Sequence, residues 1–273
     1  MTATTSRTFT RAFSTLGCAD LPLEKIFDLA QRHGIPSVEL RAMDGTINLT
    51  ERLENIFLFH KDFAGRIEQT PVRICSLDTS FRLSENTDAE RTALLRFVPW
   101  AEAAGIPRLR VFDGAGFNEN PGLTRALDTL DWWCDLRSAR GWRVDLMIET
   151  HDSLLRAPLI LRFLERAPTG TAILWDSHHT WRLGGETPTD TWRAIGPHVV
   201  HIHVKDSVSK RDGHNAYTYI PCGQGEFPMA DLLKALSKDA YSGVVSLEWE
   251  RLWHPGIPPL EESLSSASTH NWW

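Results

Sequence analysis

The sequence predicts an α/β protein whose strands close into a (β/α)8 TIM barrel, a single domain over residues 1–273. Three observations carry this expectation. Short β-rich runs alternate with longer helical patterns along the whole chain, which calls for a parallel sheet with crossover helices. Eight such units follow one another, with no linker, low-complexity tract or short internal repeat between them. The first strand–helix junction, TLGCAD at 15–20, lacks a GxGxxG fingerprint, so an open dinucleotide-binding sheet has no support.

The elements follow in order. A first strand is expected at 12–16 and a helix at 22–32, with Pro22 near its start and Gly34 beyond its end as helix punctuation. SVELR at 37–41 is the second strand, a long amphipathic segment covers 50–69, and the third strand is 72–77. A helix at 88–104 stops at Gly105 ahead of the fourth strand at 108–112. The helix at 123–140 precedes the fifth strand, 142–149, and the helix at 154–167 precedes the sixth, 171–176. A short helix at 189–195 leads to the seventh strand, 198–205. A helix at 229–238 leads to the eighth strand, 244–248, and a last short helix is expected at 259–268.

Composition narrows the class. With 42% hydrophobic and 23% charged residues the chain can bury a full core. Lys and Arg total 29 against 35 Asp and Glu, a net charge of -6 that gives no global footprint for nucleic acid. The four cysteines form no CxxC pair, which points to a reduced, cytoplasmic protein rather than a disulfide framework or zinc ribbon. No signal-peptide run opens the chain and no stretch approaches the roughly 18 apolar residues of a membrane span. Asn48-Leu49-Thr50 matches a glycosylation sequon, read as chance in a protein of this kind.

The chemistry collects around HIHVKD at 201–206. Period-two alternation puts His201, His203 and Lys205 on one strand face and Val200, Ile202 and Val204 on the other. Alone, this fits one core histidine on a half-exposed strand equally well. Barrel enzymes, however, place their sites at the carboxyl ends of strands. Here the fifth strand ends in IETHD, the sixth in WDSHH, the seventh in HIHVKD and the eighth in SLEWE. Four neighbouring strands thus supply Glu, Asp, His and Glu at one end. Such a hard oxygen/nitrogen set suits Mn2+, Mg2+ or Co2+, with Zn2+ also compatible.

These segments resemble the xylose-isomerase-like barrel superfamily, in particular its sugar phosphate isomerase/epimerase branch, over nearly the whole chain. The carriers are IET-H at Glu149, D-x-x-H at Asp176 and His179, H-x-H-V-K-D at His203 and S-x-E-x-E at Glu248, with GQG at 223–225 and YSG at 241–243 in support. The resemblance implies that Glu149, Asp176, His203 and Glu248 bind one divalent ion, Mn2+ foremost. It implies that His151 and His179 contact substrate or orient the ligands. His201 either supports a ligand or packs, and Lys205 either meets the substrate or bridges to a carboxylate. Glu250 reads as a rim residue. The implied activity is a sugar (ketose or sugar phosphate) isomerase or epimerase. It would abstract a proton next to a carbonyl through a metal-stabilised enediolate, with Glu149 and Glu248 as base and acid. The partners implied are a small carbohydrate or cyclic ketone and, as in relatives, further copies of the chain, with no nucleic acid and no membrane.

Trp175, Trp181, Trp249 and Trp253 lie beside these segments and could wall the apolar face of a sugar, whereas Trp132-Trp133 reads as packing. Arg41, Arg110 and Asp113 stand near strand ends, with exposed or salt-bridged roles expected for the two arginines. Three rivals remain. Metal-dependent dehydratases of dehydroshikimate or inosose share the fold and the first proton abstraction. Endonuclease IV-like repair enzymes hold three zinc ions, and DGH at 212–214 is similar to their extra ligands. They also need early-strand histidines, whereas the third and fourth strands here end in SLD and FD. A metal-free carbohydrate-binding barrel would not fill all four ligand positions. Specificity is expected in the loops at 43–48, 114–121 and 207–216.

Overall fold

A computed structural model describes residues 8–117, 120–211, 213 and 216–273. Eight parallel strands form the barrel: β1 (Thr10–Ser14), β2 (Ser37–Leu40), β3 (Arg73–Arg82), β4 (Arg108–Phe112), β5 (Asp145–Glu149), β6 (Ala172–Asp176), β7 (Val199–Val204) and β10 (Val244–Leu247). They close in the order β1-β10-β7-β6-β5-β4-β3-β2. A two-stranded antiparallel ribbon, β8 (Ser207–Val208) with β9 (Thr218–Tyr219), follows β7 and was not expected from the sequence. Among the described residues no helix is long and apolar enough to cross a membrane.

Three helical expectations change. The segment at 50–69 is two helices, Leu49–Ile56 and His60–Glu68, because Phe57 and Phe59 are extended. The break lets the Phe57 and Phe63 rings meet edge-on at 5.4 Å, both beside Trp100. The segment at 88–104 also divides, into Asp88–Leu95 and Val98–Ala104, with Pro99 in the first turn of the second helix, where its missing N–H is tolerated. Gly105 closes that helix in the left-handed region, φ 64°, as expected. An additional helix, Ser177–Arg182, starts directly after β6 because Asp176 Oδ1 accepts the N–H groups of His178 and His179.

Two strand bounds also move. β3 runs on to Arg82 through a register shift between Asp78 and Arg82, which carries Ser80 and Arg82 to the end of the barrel. β5 begins at Asp145 and not at 142, because the N–H groups of Arg143 and Val144 go to Glu102 Oε1 instead of a neighbouring strand.

Strand parity sorts the core. Val38, Leu109, Ile148, Ile173, Ile202, Val204 and Leu247 join the large apolar cluster shared with the helices. The opposite faces form a barrel interior that is apolar only in one small cluster, Met147, Ala172 and Leu174, and otherwise polar. Glu39 of β2 meets His201 and His203 of β7, with β1 and β10 between the two strands in the barrel order, so these contacts cross the interior.

Candidate active site

Glu149 and Asp176 are the last residues of β5 and β6, His203 lies near the end of β7, and Glu248 follows β10. The register aligns Asp176 with His203, while Glu149 pairs with Leu174, two residues before Asp176, and Glu248 lies two residues beyond Ser246, the partner of His203. All four are buried, and one donor atom from each lies within 4.8 Å of the others. Glu149 Oε2, Asp176 Oδ2 and His203 Nδ1 make no hydrogen bond of regular geometry and stand in ion pairs instead, with Arg110 Nε at 3.2 Å, Lys205 Nζ at 2.8 Å and Glu248 Oε2 at 3.2 Å. Three carboxylates and one imidazole with donor atoms converging fit a hard divalent cation.

Other interior groups fix this set. Glu39 Oε2 hydrogen-bonds His203 Nε2 at 2.8 Å, which leaves Nδ1 towards Glu248, 3.2 Å, and Glu149, 3.7 Å. His201 Nε2 lies 2.8 Å from the same Glu39 oxygen, and Ser246 Oγ donates to the other at 2.6 Å. His201 therefore sits behind His203, away from the donor cluster. Burial raises the Glu149 carboxylate's pKa, but Arg110, Nε at 3.2 Å, and His203 bring it down to about 2. For Glu248, burial is likewise overridden by His203 and Lys205, which hold it well below the ordinary value.

Lys205 is fully buried, and of its two expected roles the structure places it in ion pairs. Its Nζ is 2.5 Å from Glu248, 2.5 Å from Glu250 and 2.8 Å from Asp176. Glu250 is consequently no rim residue. Lys205 and the Tyr219 hydroxyl, 2.9 Å away, hold it against the cavity.

His151 and His179 both line the cavity and touch edge-on, ring centroids 5.1 Å apart. Burial pushes the His151 imidazole down, but the Asp152 carboxylate at 3.0 Å and the charges of Glu149 and Asp113 raise it to about 9. The loop bearing His151 is held by Asp113, whose carboxylate accepts N–H groups of Asp152, Ser153 and Leu154 at 2.6–2.8 Å. Asp206 does the same for the GQG loop, accepting from Gly223 and Gly225 at 2.9 Å. A Cβ on Gly225 would lie 2.1 Å from Asp206 Oδ1, which accounts for that glycine.

The expectation for Trp175 does not hold. One residue before Asp176 on a strand, it points to the opposite face, where it stacks on Trp192 and its indole N–H donates to Thr180 Oγ1. Trp249 is equally buried and donates to the Pro258 carbonyl, and of the four tryptophans only Trp253 lines the cavity. Asp212 and His214, similar to extra zinc ligands, lie outside the described residues.

The cavity measures about 430 Å³. Facing the carboxylates and histidines, β2 to β4 contribute Arg41, Arg82 and Arg110. Arg110 is buried and salt-bridged to Glu149 and, at 3.9 Å, Asp78, in line with expectation, but it is also a cavity wall. Arg41 is buried without a salt bridge, and Arg82 and Glu39 were not singled out from the sequence. A signal existed: SVELR places Ser37, Glu39 and Arg41 on one strand face, the same kind of polar face as HIHVKD.

Comparison with known proteins agrees with this architecture. No curated protein sequence matches the chain. Among solved structures, the probable 3-DHS dehydratase AsbF of petrobactin synthesis from Bacillus anthracis superposes with a TM-score of 0.75 at 16% identity, covering 95% of this chain and 99% of its own. The IOLI protein, solved with a zinc atom, gives 0.73 at 18% identity and 96% coverage of each chain. A D-tagatose 3-epimerase-like protein gives 0.67 at 14% identity, again covering 96% of each. These likenesses establish the fold. The family described as xylose isomerase-like TIM barrel matches residues 27–269, nearly the whole barrel with its strand-end donors, and the chain belongs to that family.

Proposed function

We propose that this protein is a divalent-metal-dependent sugar isomerase or epimerase that moves a proton on the carbon next to a carbonyl. The observation that carries the reading is the convergence of Glu149, Asp176, His203 and Glu248, three carboxylates and an imidazole with one donor atom each within 4.8 Å of the others, at the wall of a polar cavity. These four residues would hold one ion, manganese first among the candidates. When bound, the ion supplies Lewis acidity, polarising a substrate carbonyl and stabilising negative charge on its oxygen.

The side chains supply the rest. Glu149 and Glu248 are both held ionised, the form needed to accept a proton from carbon. Inversion requires the other glutamate to have taken up a proton before reaction: it gives that proton to the opposite face of the same carbon while the first keeps the one it removed, whereas return by the first to the adjacent carbon isomerises. His179, between Asp176 at 3.1 Å and Glu250 at 3.8 Å, is set to bind a substrate hydroxyl. His151 is an imidazolium at neutral pH and presents a proton to a substrate oxygen. Lys205 keeps Glu248 and Glu250 in place. In this reading the partner is a small carbohydrate or cyclic ketone in the cytoplasm.

His151 also favours one second reading. A charged imidazole on the cavity wall can protonate a departing hydroxyl, so the same proton abstraction could end in loss of water, a dehydratase reaction.

The test is metal content by elemental mass spectrometry, wild type beside Glu248→Gln. About one equivalent of Mn, Co, Mg or Zn in the wild type, sharply reduced in the variant, is expected. Solvent-deuterium incorporation into ketoses, set against water loss from cyclic ketones, then separates the two reactions. A wild-type protein that stays metal-free after incubation with these ions removes the basis of both.

A further inference from the structure

One wall of the cavity holds a cation that, among the described residues, has no carboxylate in ion-pair contact. Arg41 directly follows β2 and is 4% exposed. Its Nη2 donates to Ser80 Oγ at 3.0 Å, and its Nη1 has no hydrogen-bond partner. Among the described residues no carboxylate oxygen lies within 4.0 Å of its guanidinium. Its neighbours on the wall differ. Arg110, equally buried, has Glu149 at 3.2 Å and lies over the Phe112 ring at 4.0 Å. Arg82 pairs with Asp152 and also faces Phe112. Burial, and next the like charge of Arg110, push the Arg41 pKa down to about 10 against the more distant charges of Asp78, Glu149 and Glu248. Burying a guanidinium without a counter-ion is unfavourable, and the protein keeps one beside two other arginines.

We propose that the substrate carries a carboxylate and that Arg41, with Arg82 beside it, binds this group across the cavity from the metal donors. The inference rests on the proposed reaction for the other end of the substrate, the hydroxy-ketone, and narrows its class to hydroxy-keto acids, open-chain or cyclic. Two features select carboxylate over phosphate. No glycine lines the cavity, so there is no loop of backbone N–H groups to wrap a tetrahedral dianion. A second negative charge would also face Glu149, Glu248 and Glu250 on the same walls, whereas a planar monoanion matches the free edge of one guanidinium. About 430 Å³ accommodates a sugar-sized molecule of this kind.

Three cyclic polyols test the assignment by calorimetric titration: myo-inositol, its 1-phosphate, and quinate, which carries a carboxylate. Quinate is expected to bind at least about tenfold more tightly than myo-inositol and more tightly than the phosphate. Arg41→Gln is expected to erase most of that advantage, weakening quinate far more than myo-inositol. Equal affinity for quinate and myo-inositol overturns the inference, as does undetectable quinate binding, tighter phosphate binding, or a preference that survives Arg41→Gln. A second variant, Arg41→Met, is read by its unfolding midpoint without ligand. An uncompensated buried charge predicts a midpoint equal to or above wild type, and a fall of several degrees means the chain already balances Arg41. Titrations use both Mn2+-loaded and metal-free protein. Failure to load metal sinks the isomerase reading while the carboxylate preference stays measurable, and a missing preference in loaded protein sinks this inference alone.

Discussion

Glu39→Gln probes whether the candidate metal ligand His203 depends on a partner on the far side of the barrel. Glu39 is wholly buried; burial raises its pKa, yet His203 and His201 hold it well below the ordinary carboxylate value, so it carries a full charge. Its Oε2 accepts from His203 Nε2, and this contact fixes the proton on Nε2 and leaves Nδ1 free for an ion. Glutamine is nearly isosteric. Its carbonyl can still accept from His203, while its NH2 faces the Ser246 hydroxyl, which can turn to accept. The loss is therefore charge assistance to two imidazoles, about 1.5–3 kcal/mol of stability in the metal-free protein. Partners of metal-bound histidines contribute about 10–100-fold in affinity, so Mn2+ or Zn2+ binding should weaken by about 1.4–2.7 kcal/mol. Calorimetric metal titration beside urea unfolding measures both quantities. Glu39→Ala, with no acceptor at all, should weaken metal further. A folded Glu39→Gln protein that binds metal as tightly as wild type would refute the argument that Glu39 sets the His203 ligand atom.

Two further predictions concern groups nearer the cavity and the helices. His151 has a folded pKa of about 9, above its ordinary 6.5, so the stability it adds is complete below about 6.5 and lost as pH rises through about 9. Urea unfolding of metal-free wild type and His151→Gln across that window should show this fall in the wild type only, and parallel profiles would count against the Asp152–His151 pairing. Trp175→Ala should cost about 3–5 kcal/mol of unfolding free energy while metal content and quinate affinity persist in the folded protein. A selective loss of ligand binding would instead return Trp175 to the cavity wall.

Much of this protein was legible without coordinates because the relevant signals are local. Eight β-rich runs alternating with helical patterns leave few alternatives to a closed parallel barrel, and the barrel closes as expected. Period-two parity put His203 and Lys205 on one strand face, and the rule that barrel sites lie at carboxyl strand ends gathered Glu149, Asp176 and Glu248 at the same end of the barrel, where their donor atoms converge. Those four donor positions are set by position along each strand, which a sequence records directly. Parity, applied more strictly, also turns Trp175 away from Asp176, its neighbour on the same strand.

Closure of the barrel decided the rest, because it sets which strands face each other across the interior. Glu39 and His203 are 164 positions apart, and nothing in either segment names the other until β2 and β7 meet across the barrel. The same holds for Lys205, whose partners Glu248 and Glu250 come from beyond β10. It holds also for Arg41, which resembles any strand-end arginine until its surroundings are seen to contain a second cation and, among the described residues, no carboxylate in ion-pair contact. A side chain's period is written in its own strand, but its counter-ion is chosen by the shape of the space that strand helps to enclose.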